Sequence, residues 1–146
     1  MVACEHSPRF ALELIARGAE LDAHDNDEWS ALMYACRGGN EACVRALIGK
    51  RAALGSLNAR GRTALLVACD HGKAGCAKAL IEAGAALDVA DQEGRTAALM
   101  LACEGDRREC VEALLAAGAA LDVADEEGKT ALMLACEADR RECVGA

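Results

Sequence analysis

Asp125-Glu126-Glu127-Gly128-Lys129-Thr130-Ala131-Leu132-Met133-Leu134-Ala135-Cys136 is written nearly twice in this chain. Asp91-Gln92-Glu93-Gly94-Arg95-Thr96, followed by Leu99-Met100-Leu101-Ala102-Cys103, is its near copy. Gly61-Arg62-Thr63-Ala64-Leu65-Leu66-Val67-Ala68-Cys69 and Trp29-Ser30-Ala31-Leu32-Met33-Tyr34-Ala35-Cys36 are more distant versions. Cys36, Cys69, Cys103 and Cys136 stand at steps of 33, 34 and 33, each after an alanine, and Cys43, Cys76, Cys110 and Cys143 follow seven residues behind. A period near 33 marks a stacked solenoid, in which each unit buries its apolar face only against its neighbours.

Working outward from the repeat divides the chain into a partial unit over 1–24, units over 25–57, 58–90 and 91–124, and a truncated unit over 125–146. Within a unit, Thr96 and Thr130 follow a Gly-containing turn and precede an apolar run, the place of a helix N-cap. Leu132, Ala135 and Cys136 recur at i, i+3 and i+4, which predicts a buried face on the first helix. Gly105 is expected to end that helix in a left-handed cap. Asp106 with Glu109, and Asp139 with Glu142, read as capping boxes opening second helices. Val111, Leu114 and Leu115 are expected to face inward, and Gly118 to close the unit. In the partial unit, Ser7-Pro8 reads as N-cap and first helical residue.

The order turn, Gly-x-Thr-x-Leu, Ala-small, Gly, Val-x-x-Leu-Leu, Gly-Ala resembles the ankyrin repeat over essentially the whole chain. The resemblance implies an all-α solenoid of stacked helix-turn-helix units with short β-hairpin tips. It also implies a non-catalytic protein-interaction module or scaffold, whose partner is held by the tips and the concave face of the first helices. The chain departs from the family pattern at several places. Ala31, Ala64 and Ala131 replace its proline, and Met33, Leu66, Met100 and Met133 replace its histidine. One extra alanine at Ala97/Ala98 shifts Thr96 against its helix. Arg51 stands where Gly84 and Gly118 do, and a non-glycine residue in the left-handed region costs roughly 1–2 kcal/mol. Irregular first and third units are expected.

Composition limits the remaining possibilities. Of 146 residues 53% are hydrophobic but only 2% aromatic, so the core is built from Ala, Leu, Val, Cys and Met. Abundant alanine and a single proline favour helix. A net charge of −8 repels phosphate backbones and anionic membrane surfaces, so no nucleic-acid or membrane partner is expected. No run reaches the roughly 20 apolar residues that span a bilayer, and the N-terminus lacks the basic and apolar regions of a secretory signal. The expected compartment is intracellular, in the cytoplasm.

Nine cysteines raise metal or redox chemistry as an alternative, helped by Cys4-x-His6 and Cys69-x-His71. Equivalent cysteines of stacked units lie about 10 Å apart, whereas a disulfide needs Cα atoms within about 7 Å, so pairing along the stack is excluded. Zinc needs four ligands converging within about 2.3 Å, and no Cys-x-x-Cys exists here. Each cysteine is read as a small buried apolar residue, with no metal and no cofactor expected. Gly128-Lys129-Thr130 resembles the end of a phosphate-binding loop, but Val123 stands where that loop requires glycine. His24 and the acidic run Asp125-Glu126-Glu127 read as solvated tip residues. No catalytic constellation is present, and no enzymatic activity is expected.

The positions that differ between units point to where a partner binds. One tip position is occupied in turn by Trp29, Arg62, Arg95 and Lys129, an aromatic followed by three cations. Tyr34 stands where later units have Val67, Leu101 and Leu134. The only Trp and Tyr thus fall in one unit, on the face the family uses, and a tip tryptophan has little core to fill. With Arg37 and Arg60 these residues form the candidate patch, since Trp, Tyr and Arg dominate interface energetics. A partner meeting it is expected to present acidic or aromatic groups. Both ends look like open repeat faces, which suggests a piece of a longer array without independent function, or end-to-end self-association.

Overall fold

The structure, a computed structural model, describes residues 8–92 and 97–145, with side chains over 8–92 and 98–139. Among the described residues the chain forms eight helices: α1 Pro8–Ala16, α2 Ala31–Gly38, α3 Glu41–Gly49, α4 Ala64–Asp70, α5 Ala74–Glu82, α6 Ala97–Glu104, α7 Arg108–Ala116 and α8 Ala131–Gly145. Helices α2, α4, α6 and α8 pack one on the next as an inner layer, and α1, α3, α5 and α7 as an outer one. Of the inner helices, α4 and α6 are apolar almost all round. Leu32, Met33, Leu65, Leu66, Leu99 and Met100 are all buried at equivalent positions, where units press on both sides. The outer helices bury one stripe each, with Cys43, Val44 and Leu47 in α3 and Cys110 and Leu114 in α7.

Ser30 and Thr63 cap their inner helices, accepting hydrogen bonds from Met33 N and Leu66 N at 3.3 Å each. Thr130 does the same for Met133 N at 3.4 Å, as expected. Thr96 and Ser7 lie outside the described residues, although Pro8 does open α1. The left-handed residue between the helices of a unit is Gly39 (φ 72°), Gly72 (φ 67°) and, in the third unit, Asp106 (φ 52°). The cap therefore falls one residue beyond Gly105, because its register follows the cysteine three residues earlier. The next residue closes the turn through its own backbone: the N–H groups of Asn40, Lys73 and Arg107 donate to the carbonyls of Ala35, Ala68 and Ala102. No side chain caps α3, α5 or α7, so the Asp106/Glu109 capping box does not form.

Units end at a second left-handed residue, Gly18, Gly84 and Gly118, with Arg51 held there at φ 63°. Ala97 and Ala98 both lie within α6, and Leu99 and Met100 keep their buried register. In the last unit α8 runs unbroken through Asp139, where a turn and a second helix were expected. Asp106, at the equivalent position, does take the left-handed turn, whereas at Asp139 the helix continues and adds one hydrogen bond per residue. The buried-face expectation for α8 fails in part: Leu132 is 72% exposed and Cys136 is exposed, while Ala131 and Leu134 are buried against α6. Leu115 is likewise 48% exposed, since α7 buries only its Cys110 and Leu114 stripe.

Candidate functional site

Three of the tips are each shaped by one side chain that the repeat pattern carries. Asp25 Oδ1 accepts from the backbone N–H of Asp27 and Trp29, both at 2.9 Å. Asn58 does the same for Arg60 and Arg62, and Asp125 for Glu127 and Lys129. Asp and Asn side chains that fold back on N–H groups two and four residues on create such turns locally. The residue before each cap is thereby aimed consistently from unit to unit. Adjacent tips then join through their backbones: Ala59 N donates to Asp27 O at 3.0 Å, and Gln92 N to Arg60 O at 3.1 Å. The period that located the cysteines also locates Asp25, Asn58, Asp91 and Asp125, and the acidic reading of Asp125 missed this role.

Between the first two tips lies a cleft of about 450 Å³, lined by Trp29, Tyr34, Arg37, Arg60 and Arg62 together with Asp27, Asn58, Asp70 and His71. Trp29 and Tyr34 form its aromatic wall, their ring centroids 5.3 Å apart and their planes at 46°. The Arg37 guanidinium carbon lies 5.0 Å from both ring centroids, so one cation sits over two π faces. Trp29 is half-buried and packs against the core, which corrects the view of it as a tip residue with little to fill. The Tyr34 hydroxyl donates to Asp25 Oδ2. That bond, and the N–H groups of Trp29 and Asp27, hold the Asp25 carboxyl below the usual range.

The cations differ in their tasks. Arg62 is only 11% exposed and is bound inward, 2.7 Å from Asp70 and 3.5 Å from Asp91. It forms the floor of the cleft and ties the tip to α4 and to the next tip. Arg60 is exposed and makes no ion pair among the described residues. Lys129 lies two tips away and pairs with Glu137 at 3.3 Å and Glu127 at 3.5 Å. Arg95 lies outside the described residues. The structure therefore gathers Trp29, Tyr34, Arg37, Arg60 and Arg62 into one site and leaves Lys129 apart from it.

Two features bear on the competing chemistries. Among the described residues, no three His, Cys, Asp or Glu side chains converge as a metal site, and no helix is long and apolar enough to cross a membrane. In comparisons with known proteins, a family model described as ankyrin repeats (three copies) matches residues 1–91 and 84–146. No curated protein matches the chain significantly.

Proposed function

Because the chain belongs to the ankyrin repeat family, whose repeats are generally protein–protein interaction modules, we propose that it binds a protein partner through the cleft between its first two tips. The observation that carries this reading is the Arg37 guanidinium stacked on Trp29 and Tyr34 beside the exposed Arg60. Stacking holds a planar fork of N–H donors in place before the partner arrives, so little side-chain freedom is lost on contact. Asp70 and Asp91 are offset by Arg62, and Asp25 is engaged by Tyr34. The cleft thus offers cations and aromatic faces on a chain that is otherwise strongly acidic. It suits a peptide segment carrying Asp or Glu next to an aromatic residue.

A displayed peptide library selected on the folded chain tests this. Enrichment of acidic-aromatic peptides, with binding lost in an Arg37→Ala/Arg60→Ala variant of unchanged circular dichroism, is the expected result. Selected peptides that bind the variant equally well would show that the cleft is not the site.

A further inference from the structure

The two ends of the stack are incomplete in opposite ways. Among the described residues α1 is an outer helix that no inner helix precedes, and α8 an inner helix that no outer helix follows. Elsewhere each inner helix packs on the outer helix after it, α2 on α3, α4 on α5 and α6 on α7. An α1 from one molecule and an α8 from another are therefore the two halves of one unit.

The apolar side chains left bare at each end are ones that the repeat covers elsewhere. Phe10 and Leu14, one turn apart on α1, are 64% and 50% exposed. Their counterparts are Cys43 and Leu47, Cys76 and Leu80, and Cys110 and Leu114, all at most 1% exposed. At the far end Leu132 and Met133 of α8 are exposed where Leu99 and Met100 are buried. Cys103 and Val111 are only half-buried, whereas Cys36 and Cys69, and Val44 and Ala77, at the same places in earlier units, are fully covered. Cys103 and Val111 line a groove of about 440 Å³ beside α7 and α8. One and two units earlier the corresponding place is filled by an outer helix, α7 lying against α5 and α5 against α3. The groove is an empty outer-helix position.

We propose that copies of this chain assemble head to tail, α1 of one molecule entering the groove of the next as the outer helix of a composite unit. Phe10 and Leu14 bury in the groove, and α2 of the entering molecule stacks over Leu132 and Met133, as α8 stacks on α6. The stack itself selects this occupant, because the contact continues the one that already joins unit to unit, and a second copy carries the matching face. Charge agrees with it. The groove is edged by Asp106, Glu112 and Asp139 beside Arg108, and α1 carries exposed Arg9 and Arg17, the latter 2.7 Å from Glu13. Neighbouring outer helices within the chain already meet in this way, Arg45 of α3 reaching Glu82 of α5 at 3.4 Å. Each molecule uses two different faces, so the contact is heterologous and propagates instead of closing as a two-fold dimer.

Sedimentation velocity of the full-length chain over micromolar to millimolar concentrations tests this. Dithiothreitol is kept present so that the exposed Cys136 cannot cross-link copies, and salt screens the −8 charge that each copy carries. The expected result is a mean mass that rises with concentration. Two variants separate the ends: Phe10→Asp/Leu14→Asp spoils the head, and Leu132→Asp/Met133→Asp the tail. All four side chains are exposed, so both variants should keep the wild-type circular dichroism. Should either lose it, Leu14→Lys or Met133→Lys alone takes its place. Each variant by itself is expected to stay monomeric, and an equimolar mixture to form a 1:1 complex that grows no further. A wild-type chain that stays monomeric throughout overturns the proposal and leaves the ends to a different occupant. A variant that associates by itself, or a mixture that stays monomeric while the wild type associates, overturns it equally.

Discussion

The Arg62 guanidinium meets the Asp70 carboxylate at 2.7 Å and so ties the second tip to the end of α4. On its other side it lies 3.5 Å from Asp91, whose side chain is 1% exposed. Arg62→Ala would remove a cation from beside that buried carboxylate and from the Asp70 pair. We expect a loss of about 3 kcal/mol in stability, since removing one member of a buried ion pair costs the charge that remains part of its compensation. Lys129→Ala, which removes pairs that are substantially exposed, should cost under about 1 kcal/mol. Urea denaturation midpoints of the two variants check the contrast.

Asp25 gives a dependence on acidity. Its folded-state carboxyl is held low, chiefly by the Tyr34 hydroxyl and then by the Trp29 N–H. A depressed carboxyl stabilises the fold above its unfolded value of about 3.9, and that contribution is lost as pH falls through the folded value. Tyr34→Phe should move the Asp25 titration upward and narrow this acid-side window. Carboxyl-detected NMR titration of the two proteins would reveal the shift, and an unmoved Asp25 would contradict the assignment.

Arg51 occupies a left-handed position that glycine fills in three other units. The equivalent Gly18, Gly84 and Gly118 face open space, so a side chain there gains no packing. Arg51→Gly should raise stability by about 1 kcal/mol, the relief of strain outweighing the added freedom of the unfolded chain. Thermal unfolding monitored by circular dichroism measures it, and a lowered melting temperature would refute the strain argument.

Leu99 and Leu132 are the same residue at the same place in the repeat, yet they are 2% and 72% exposed. Leu99→Ala should therefore cost about 3 kcal/mol, and Leu132→Ala less than about 0.5 kcal/mol. Chemical denaturation of the pair distinguishes them. Equal losses would mean that α8 is covered on the side where Leu132 lies.

The period determined the solenoid and placed Arg51 at a glycine position, and the resemblance to the ankyrin repeat implied the two helices of each unit. Such features are written locally in glycine placement, N-caps and apolar spacing, and each recurs often enough to be recognised. The aromatic cleft was half legible. Difference between units pointed to Trp29 and Tyr34, but only the packing of one tip on the next set Arg37 over both rings. The same packing turned Arg62 inward to Asp70 and Asp91, partners in its own inner helix and in the next tip. The last helix shows the reverse case. A repeat motif specifies a helix-turn-helix only where the turn can be closed and packing compensates its strain, so at Asp139 the chain stays helical. Sequence determines what a unit can do; contact with neighbouring units decides which side chains are covered, paired or left open to a partner.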